Sequence, residues 1–277
     1  FAKTDTDATF MRMKEDAMKN GQLKPAYNIQ CGTDSEFITW ATVGPQPTDT
    51  TTLIPFLQDM EEHIHRRYLN VIADAGYESE ENYLYLETNG QRSFIKPNNY
   101  EKCKTRKWQK DIGRKENMIY LDQEDAYQCK NGKKLVRGKD SIRKYDSGFE
   151  DIQRNYTCYE CAGCPFIKEC IKSRKETQTA PTKKSIRFSP EYERRRNESY
   201  ANITSEDGIE ERTNRTIQAE GQFSKAKCGL DYDRFRHRGL TKTVADTILM
   251  ALGINLNKLH SKLKTKQQGV TRYKKIA

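Results

Sequence analysis

Carboxylates in three separate parts of the chain could together support phosphoryl-transfer chemistry. Asp74 follows the apolar run 71–73 and precedes a glycine turn, Asp5 or Asp7 lies near the first strand, and Glu220 lies in a late helix. If three such acids converge, their oxygens suit Mg²⁺ or Mn²⁺, which activate an attacking oxygen. A simpler interpretation is also open, in which Asp74 caps the next helix and Glu220 belongs to a charged helix surface.

Basic residues accompany the late acid. Lys227 follows Glu220 by two helical turns, so the two share one face, and Lys227 could contact a DNA phosphate beside the metal ions. Further candidate phosphate contacts are Lys225, Arg234, Arg236 and Arg238. Taken singly, each basic run is more typical of a solvated surface.

Four crowded cysteines predict a second metal site. Cys158, Cys161, Cys164 and Cys170 form the pattern CxxCxxCxxxxxC, which places several thiolates around one small volume. Tetrahedral Zn²⁺ is the predicted metal, with a structural role, because a small polar segment has too little apolar content to fold alone. Cys129 could replace one of the four ligands. An iron–sulfur cluster and four reduced thiols without metal are the alternatives.

Composition indicates an anionic partner. The 277 residues include 49 Lys+Arg against 39 Asp+Glu, and the pI is near 9.1. Such a balance favours nucleic acid, since contact with phosphates releases counterions. Neither a membrane-spanning stretch nor a signal peptide is evident, which predicts a cytoplasmic protein with no membrane partner. The chain begins at Phe1 rather than Met, so we expect an N-terminally incomplete fragment.

Elements that would position the acids follow from periodicity. Runs 26–31 and 37–43 read as antiparallel strands joined by a short turn, and a helix is expected over about 53–67. A strand then ends at Asp74, and Ser79 opens another short helix. Strand, strand, helix, strand, helix predicts a mixed α/β sheet flanked by helices.

Four segments are expected along the chain. Residues 1–97 form the first part of an α/β core, 98–185 a β-rich cysteine-containing insertion, 186–261 the helical remainder of the core, and 262–277 a basic tail. Asn131 and Gly132 mark a tight turn between two short strands of the insertion. The last helix carries an apolar stripe, made of Val244, Ile248, Leu252, Leu256 and Leu259.

Several of these motifs, in order, resemble DDE-type transposases of bacterial insertion sequences. The matching segments are 4–8, 24–30, 47–50, 72–77 and 220–227, and the resemblance is closest to the branch with a cysteine-rich insert between the second and third acids. Departures are Thr6, Ala26 and Ser224, where such proteins usually have Pro, Gly and Gly. None of these departures removes an acid.

The resemblance implies a ribonuclease-H-like fold and a set of site residues. Asp5, Asp74 and Glu220 would be the metal-binding triad, with Asp7 competing for the first position and Lys227 as the accompanying base. Arg215, one residue further from the glutamate than in many such transposases, would contact DNA phosphate.

The expected function is metal-dependent hydrolysis of a DNA phosphodiester followed by strand transfer. Partners would be double-stranded DNA, both element ends and target, and further copies of the chain on that DNA, in association with the bacterial nucleoid. The alternatives are a non-catalytic, N-terminally truncated DNA-binding remnant and a two-metal nuclease that does not join strands.

Overall fold

The computed structural model describes residues 2–12, 21–172, 182–232 and 234–269. The chain divides into two compact units: Phe1–Lys96 with Ser199–Ala277, and Pro97–Glu198. Both units contain strands and helices, so the predicted mixed α/β class is confirmed. Among the described residues, none of the helices combines the length and apolar character needed to cross a bilayer.

Three strand pairs build the first unit. Its early elements are β1 (Thr9–Arg12), β2 (Leu23–Ala26), β3 (Asn28–Asp34), β4 (Phe37–Gly44), α1 (Leu53–Ile64), β5 (Asn70–Ala73), α2 (Glu80–Thr88) and β6 (Arg92–Ile95). Strands β1 and β2 pair antiparallel, as do β3 and β4, whereas β5 and β6 are parallel. Helix α2 supplies the crossover that a parallel pair requires.

Local sequence explains these early elements. The β3–β4 hairpin is confirmed, and its turn uses positive φ at Ser35 and Glu36. Helix α1 buries four apolar residues, Leu53, Phe56, Leu57 and Met60. It ends at Ile64, earlier than predicted, because His65 adopts a left-handed conformation.

A six-stranded sheet forms most of the second unit. Its elements are α3 (Arg106–Gln109), β7 (Ile119–Leu121), β8 (Ala126–Gln128), β9 (Lys134–Arg137), β10 (Ser141–Lys144), β11 (Glu150–Cys158), α4 (Ile167–Cys170) and β12 (Lys184–Phe188). The order is β10-β11-β9-β8-β7, with β12 also pairing with β11. The predicted turn at Asn131 and Gly132 joins β8 to β9, which pair antiparallel. Tyr127, Leu135 and Tyr156 are buried at its centre.

Helices complete the chain. They are α5 (Pro190–Thr204), α6 (Glu206–Arg215), a π-helix Thr216–Glu220, α7 (Gly221–Ser224), a second π-helix Lys225–Gly229, and α8 (Leu240–Lys264). The first π segment joins α6 to α7 and the second extends α7, so the four form one continuous helical run. Of the predicted basic tail, residues 270–277 lie outside the described residues.

Helix α8 buries a different face from the apolar stripe that the sequence predicted. Its buried residues are Thr243, Thr247, Ala251 and Ile254, and this face contacts β4. Four predicted stripe residues are exposed instead: Ile248, Leu252, Leu256 and Leu259. Small and β-branched side chains let the helix approach the strand closely, and hydrogen bonds from Asn255 Nδ2 to the Ile38 carbonyl oxygen (2.8 Å) and from Ile38 N to Asn255 Oδ1 (2.9 Å) fix that face.

Candidate active site and cysteine cavity

Asp74 lies at the end of β5, as predicted. Its side-chain oxygen Oδ1 accepts a hydrogen bond from Gly76 N at 2.8 Å, so it caps the short 3₁₀ turn Ala75–Tyr77. The capping interpretation is therefore confirmed for this residue. About half of its side chain, 49%, stays exposed, which leaves the second carboxylate oxygen accessible to other groups.

A second carboxylate, Asp49, lies beside Asp74. A Cβ placed on Gly76 would be 2.8 Å from Asp49 Oδ2 and 3.0 Å from Asp74 Oδ1, so both acids crowd the same glycine. Asp49 Oδ1 accepts hydrogen bonds from Asn28 Nδ2 at 2.7 Å and from Gln30 Nε2 at 3.3 Å. Strand β3 thus orients one acid of the pair and strand β5 delivers the other.

The negative charge of this pair affects the pKa of Tyr77. Burial raises the pKa of the Tyr77 hydroxyl, and the negative charges of Asp49 and Asp74 raise it further. The hydroxyl stays protonated and donates to Gln30 Oε1. Tyr77 therefore acts as a neutral donor that supports the strand side of the pair.

Arg215 brings the late helix to Asp74. Its Nη2 donates to Asp74 Oδ2 at 3.3 Å. The helical run is held in place by the β3–β4 turn, where Glu36 N donates to Gln218 Oε1 at 3.2 Å and Gln222 Nε2 donates to the Glu36 carbonyl oxygen at 2.9 Å. The arginine predicted to contact phosphate thus lies at the predicted second acid.

Glu220 and Lys227 lie on the exposed side of the same run. Glu220 ends the first π-helix, and Lys227 lies in the second. A π-helix joins residue i to i+5, so Glu220 follows Arg215 by one turn. The π-helix keeps Arg215 and Glu220 within one uninterrupted helical run.

The side chains of Asp5 and Asp7 lie against the N-terminus of helix α8. Asp5 Oδ2 accepts a hydrogen bond from Gly239 N at 3.0 Å, and Asp7 Oδ2 accepts one from Leu240 N at 3.0 Å. Tyr27 Oη also donates to Asp5 Oδ1 at 2.8 Å. The Gly239 N–H, with smaller help from Tyr27, holds the pKa of Asp5 below its usual value. In this arrangement both acids stabilise a helix N-terminus.

The other predicted basic residues are exposed. Arg234, Arg236 and Arg238 lie in the segment before α8, and Lys225 and Lys227 lie in the second π-helix. Phe235 packs edge-on against Tyr27, with ring centroids 5.7 Å apart. This contact anchors the segment while its arginines face outward, which suits phosphate contact.

Five cysteines of the second unit line one cavity. They are Cys129, Cys158, Cys161, Cys164 and Cys170. Burial raises the pKa of the Cys161 thiol to about 11, with the neighbouring Cys158 thiol adding to the effect. All five are free thiols.

Neither predicted metal site is assembled as the side chains stand. Over the described ranges, no group of three or more His, Cys, Asp or Glu residues is arranged to hold an ion. The triad and its roles stay a prediction.

Residues 128–260 match the family model of the transposase DDE domain. The match supports the prediction of a DDE transposase. It covers the cysteine cluster, Arg215, Glu220 and Lys227, and it begins after Asp5 and Asp74. Comparison with curated proteins gave no match, and comparison with solved structures gave none.

Asp49 was not among the predicted site residues. The structure places it against Asp74, across a gap of 25 positions that periodicity cannot bridge. The available signal was its presence in segment 47–50, one of the motifs that carried the resemblance to transposases.

Proposed function

We propose that this chain is the catalytic part of a DNA transposase with a ribonuclease-H-like core. It would hydrolyse a phosphodiester at the end of a mobile element and join the freed 3′-hydroxyl to target DNA. The observation that carries the proposal is the contact between Arg215, inside the family-matched range, and Asp74, at a strand end outside it.

Oxygen ligands near Asp74 fit a divalent cation by their chemistry. Asp74 and Glu220 would hold Mg²⁺ or Mn²⁺ together with Asp5 or Asp7, and Asp49 adjoins the pair. A bound ion would supply activation of the attacking oxygen and charge stabilisation. Asp5 Oδ2 already accepts the Gly239 N–H, so a role for Asp5 in the site would couple ion binding to the start of α8.

The chain's own cations would orient the DNA. Arg215 can pair with a phosphate oxygen near Asp74, since guanidinium forms bidentate bonds with phosphate. Lys227 and Lys225 would contact phosphates along the same helix, and the outward arginines before α8 would extend the contact. We further propose that several copies act together on paired element ends, on nucleoid DNA in the bacterial cytoplasm.

Nicking of supercoiled plasmid in Mn²⁺ tests the catalytic proposal. Asp74→Asn and Glu220→Gln should each reduce nicking to background. The matched control is Glu206→Gln, an exposed acid at the start of α6 in the same helical run, which should nick like the wild type. Nicking that persists in Asp74→Asn would remove Asp74 from the mechanism.

A DNA-binding remnant without catalysis is the second candidate. The backbone hydrogen bonds that hold Asp5 and Asp7 at the start of α8 favour it. Gel-shift binding to duplex DNA by wild-type chain, with no scission in Mn²⁺, would establish that alternative. A nuclease that cannot join strands would nick plasmid but yield no joint product with a 3′-hydroxyl oligonucleotide.

We also propose a structural Zn²⁺ in the cysteine cavity. The donor set fits by its chemistry, because thiolates are the usual ligands of structural zinc. The ion would join loop segments of a unit whose apolar centre is small.

A further inference from the structure

The cysteine cavity has one thiol too many for a tetrahedral ion. Five cysteines line it, and structural Zn²⁺ takes four ligands. The cavity offers about 30 Å³, room for a single small ion. The CxxCxxCxxxxxC pattern alone therefore does not determine which four cysteines bind the ion.

Two glycine-dependent turns present cysteines to the cavity. Gly132 N donates to the Cys129 carbonyl oxygen at 2.9 Å, and Gly132 has a positive φ of 73°. Cys164 N donates to the Cys161 carbonyl oxygen at 3.2 Å around Gly163, whose φ is 68°. Side chains on such exposed turns can rotate toward a common point without disturbing a strand ladder.

Cys170 extends the second turn. Ile167 N donates to the Cys164 carbonyl oxygen at 3.2 Å, and the short helix α4 that follows ends at Cys170. Cys129, Cys161, Cys164 and Cys170 are all partly exposed, which gives an ion a path from solvent.

Cys158 differs from the other four in its burial. It is the last residue of β11, paired with Lys184 of β12, and only 3% of it is exposed. Its side chain is a buried member of the apolar cluster of Tyr127, Leu135 and Tyr156, whereas Cys129 and Cys161 only pack against the edge of that cluster. A free cysteine in such a place behaves as a small apolar residue. Turning it into a charged ligand would remove a member of the core.

The stabilisation gained when an ion cross-links the chain also differs between the possible ligand sets. Cys129 lies on the β8–β9 hairpin, far in sequence from the segment 161–170. An ion that includes Cys129 ties two distant segments together, and closure of a longer loop constrains the unfolded chain more. A set drawn only from positions 158–170 would close a short loop.

We propose that Cys129, Cys161, Cys164 and Cys170 are the zinc ligands and that Cys158 is a core residue. This inference rests on the proposed zinc site and deepens it. It is independent of the carboxylates and of DNA cleavage.

Zinc content of purified full chain, reconstituted with Zn²⁺ and dialysed, tests the assignment. Mass spectrometry of the metal should find one zinc per chain in wild type and in Cys158→Ala, and little in Cys129→Ser. Cobalt substitution adds a spectroscopic readout, since the thiolate-to-cobalt bands should be unchanged in Cys158→Ala and weakened in Cys129→Ser. Cys228→Ser, at an exposed position outside the cavity, is the matched control and should keep its zinc.

Either of two results would overturn this assignment of the zinc ligands. Zinc kept by Cys129→Ser, or lost by a folded Cys158→Ala, would show that the ligand set is different. Cys158→Val, which keeps an apolar side chain in the cluster, replaces the alanine variant if circular dichroism shows that the latter is unfolded. Wild-type chain that takes up no zinc would refute the zinc site itself, whatever the plasmid-nicking result.

Discussion

Gly76 is the position where a single methyl group should most directly disturb the candidate site. In Gly76→Ala the new Cβ would lie 2.8 Å from Asp49 Oδ2 and 3.0 Å from Asp74 Oδ1. Both distances are too short for a carbon and an oxygen in contact, so a carboxylate must move. Neither moves freely, because Asn28 holds Asp49 and Arg215 holds Asp74.

The expected loss of folding stability follows from that constraint. Insertion of a methyl group into a well-packed site typically costs about 1–3 kcal/mol. Carboxylate ends can rotate, so we expect Gly76→Ala to lower the free energy of unfolding by about 1–2 kcal/mol. If Asp74 holds a catalytic ion, the displacement should also slow nicking by on the order of 10- to 100-fold, because catalysis depends on ångström-scale placement.

Urea denaturation followed by circular dichroism measures the first effect, and plasmid nicking in Mn²⁺ measures the second. Gly253→Ala is the matched control: nothing lies within 4 Å of its added Cβ, and it lies inside helix α8. There alanine should stabilise the helix by about 1 kcal/mol. A Gly76→Ala chain as stable as wild type would refute the crowding of the two carboxylates. Reduced stability with unchanged nicking would instead refute the link between this pair and catalysis.

Two further predictions concern stability. Leu135→Ala should lower the unfolding free energy of the second unit by about 2–5 kcal/mol in urea titration, because Leu135 is fully buried; exposed Val136→Ala should change it by under about 0.5 kcal/mol. Burial alone would raise the pKa of Glu36, but hydrogen bonds and charge from Lys258 and Lys262 lower it overall. The Glu36 carboxylate therefore stabilises the fold above its unfolded pKa, near 4.5, and that contribution is lost as pH falls through its lower folded value. Glu36→Gln should cost about 2 kcal/mol at pH 7, and the difference from wild type should shrink in denaturation below about pH 4. A constant difference across pH would contradict the ion-pair assignment.

Local patterns were enough to predict the elements around the site. Turn residues and alternating apolar residues predicted the β3–β4 hairpin, and helical spacing from Leu53 predicted α1. The Asn131-Gly132 turn and the strand end at Asp74 were likewise predicted, because such signals depend on residues within a few positions of one another. Helix α8 was predicted from the stripe between Val244 and Leu259, but it runs longer at both ends, and its buried face is decided by the close fit of small residues against β4.

Contacts between distant residues were decided only by the tertiary structure. The Arg215–Asp74 bond spans 141 positions, and the Asp5–Gly239 bond spans 234. Nothing in local periodicity specifies which backbone N–H meets Asp5, or that Asp49 adjoins Asp74. The sequence by itself determined which residue types are available for metal and phosphate chemistry and which elements carry them. Which of those residues meet depends on how strands and helices pack, since packing selects a few long-range contacts from many that the chain composition allows.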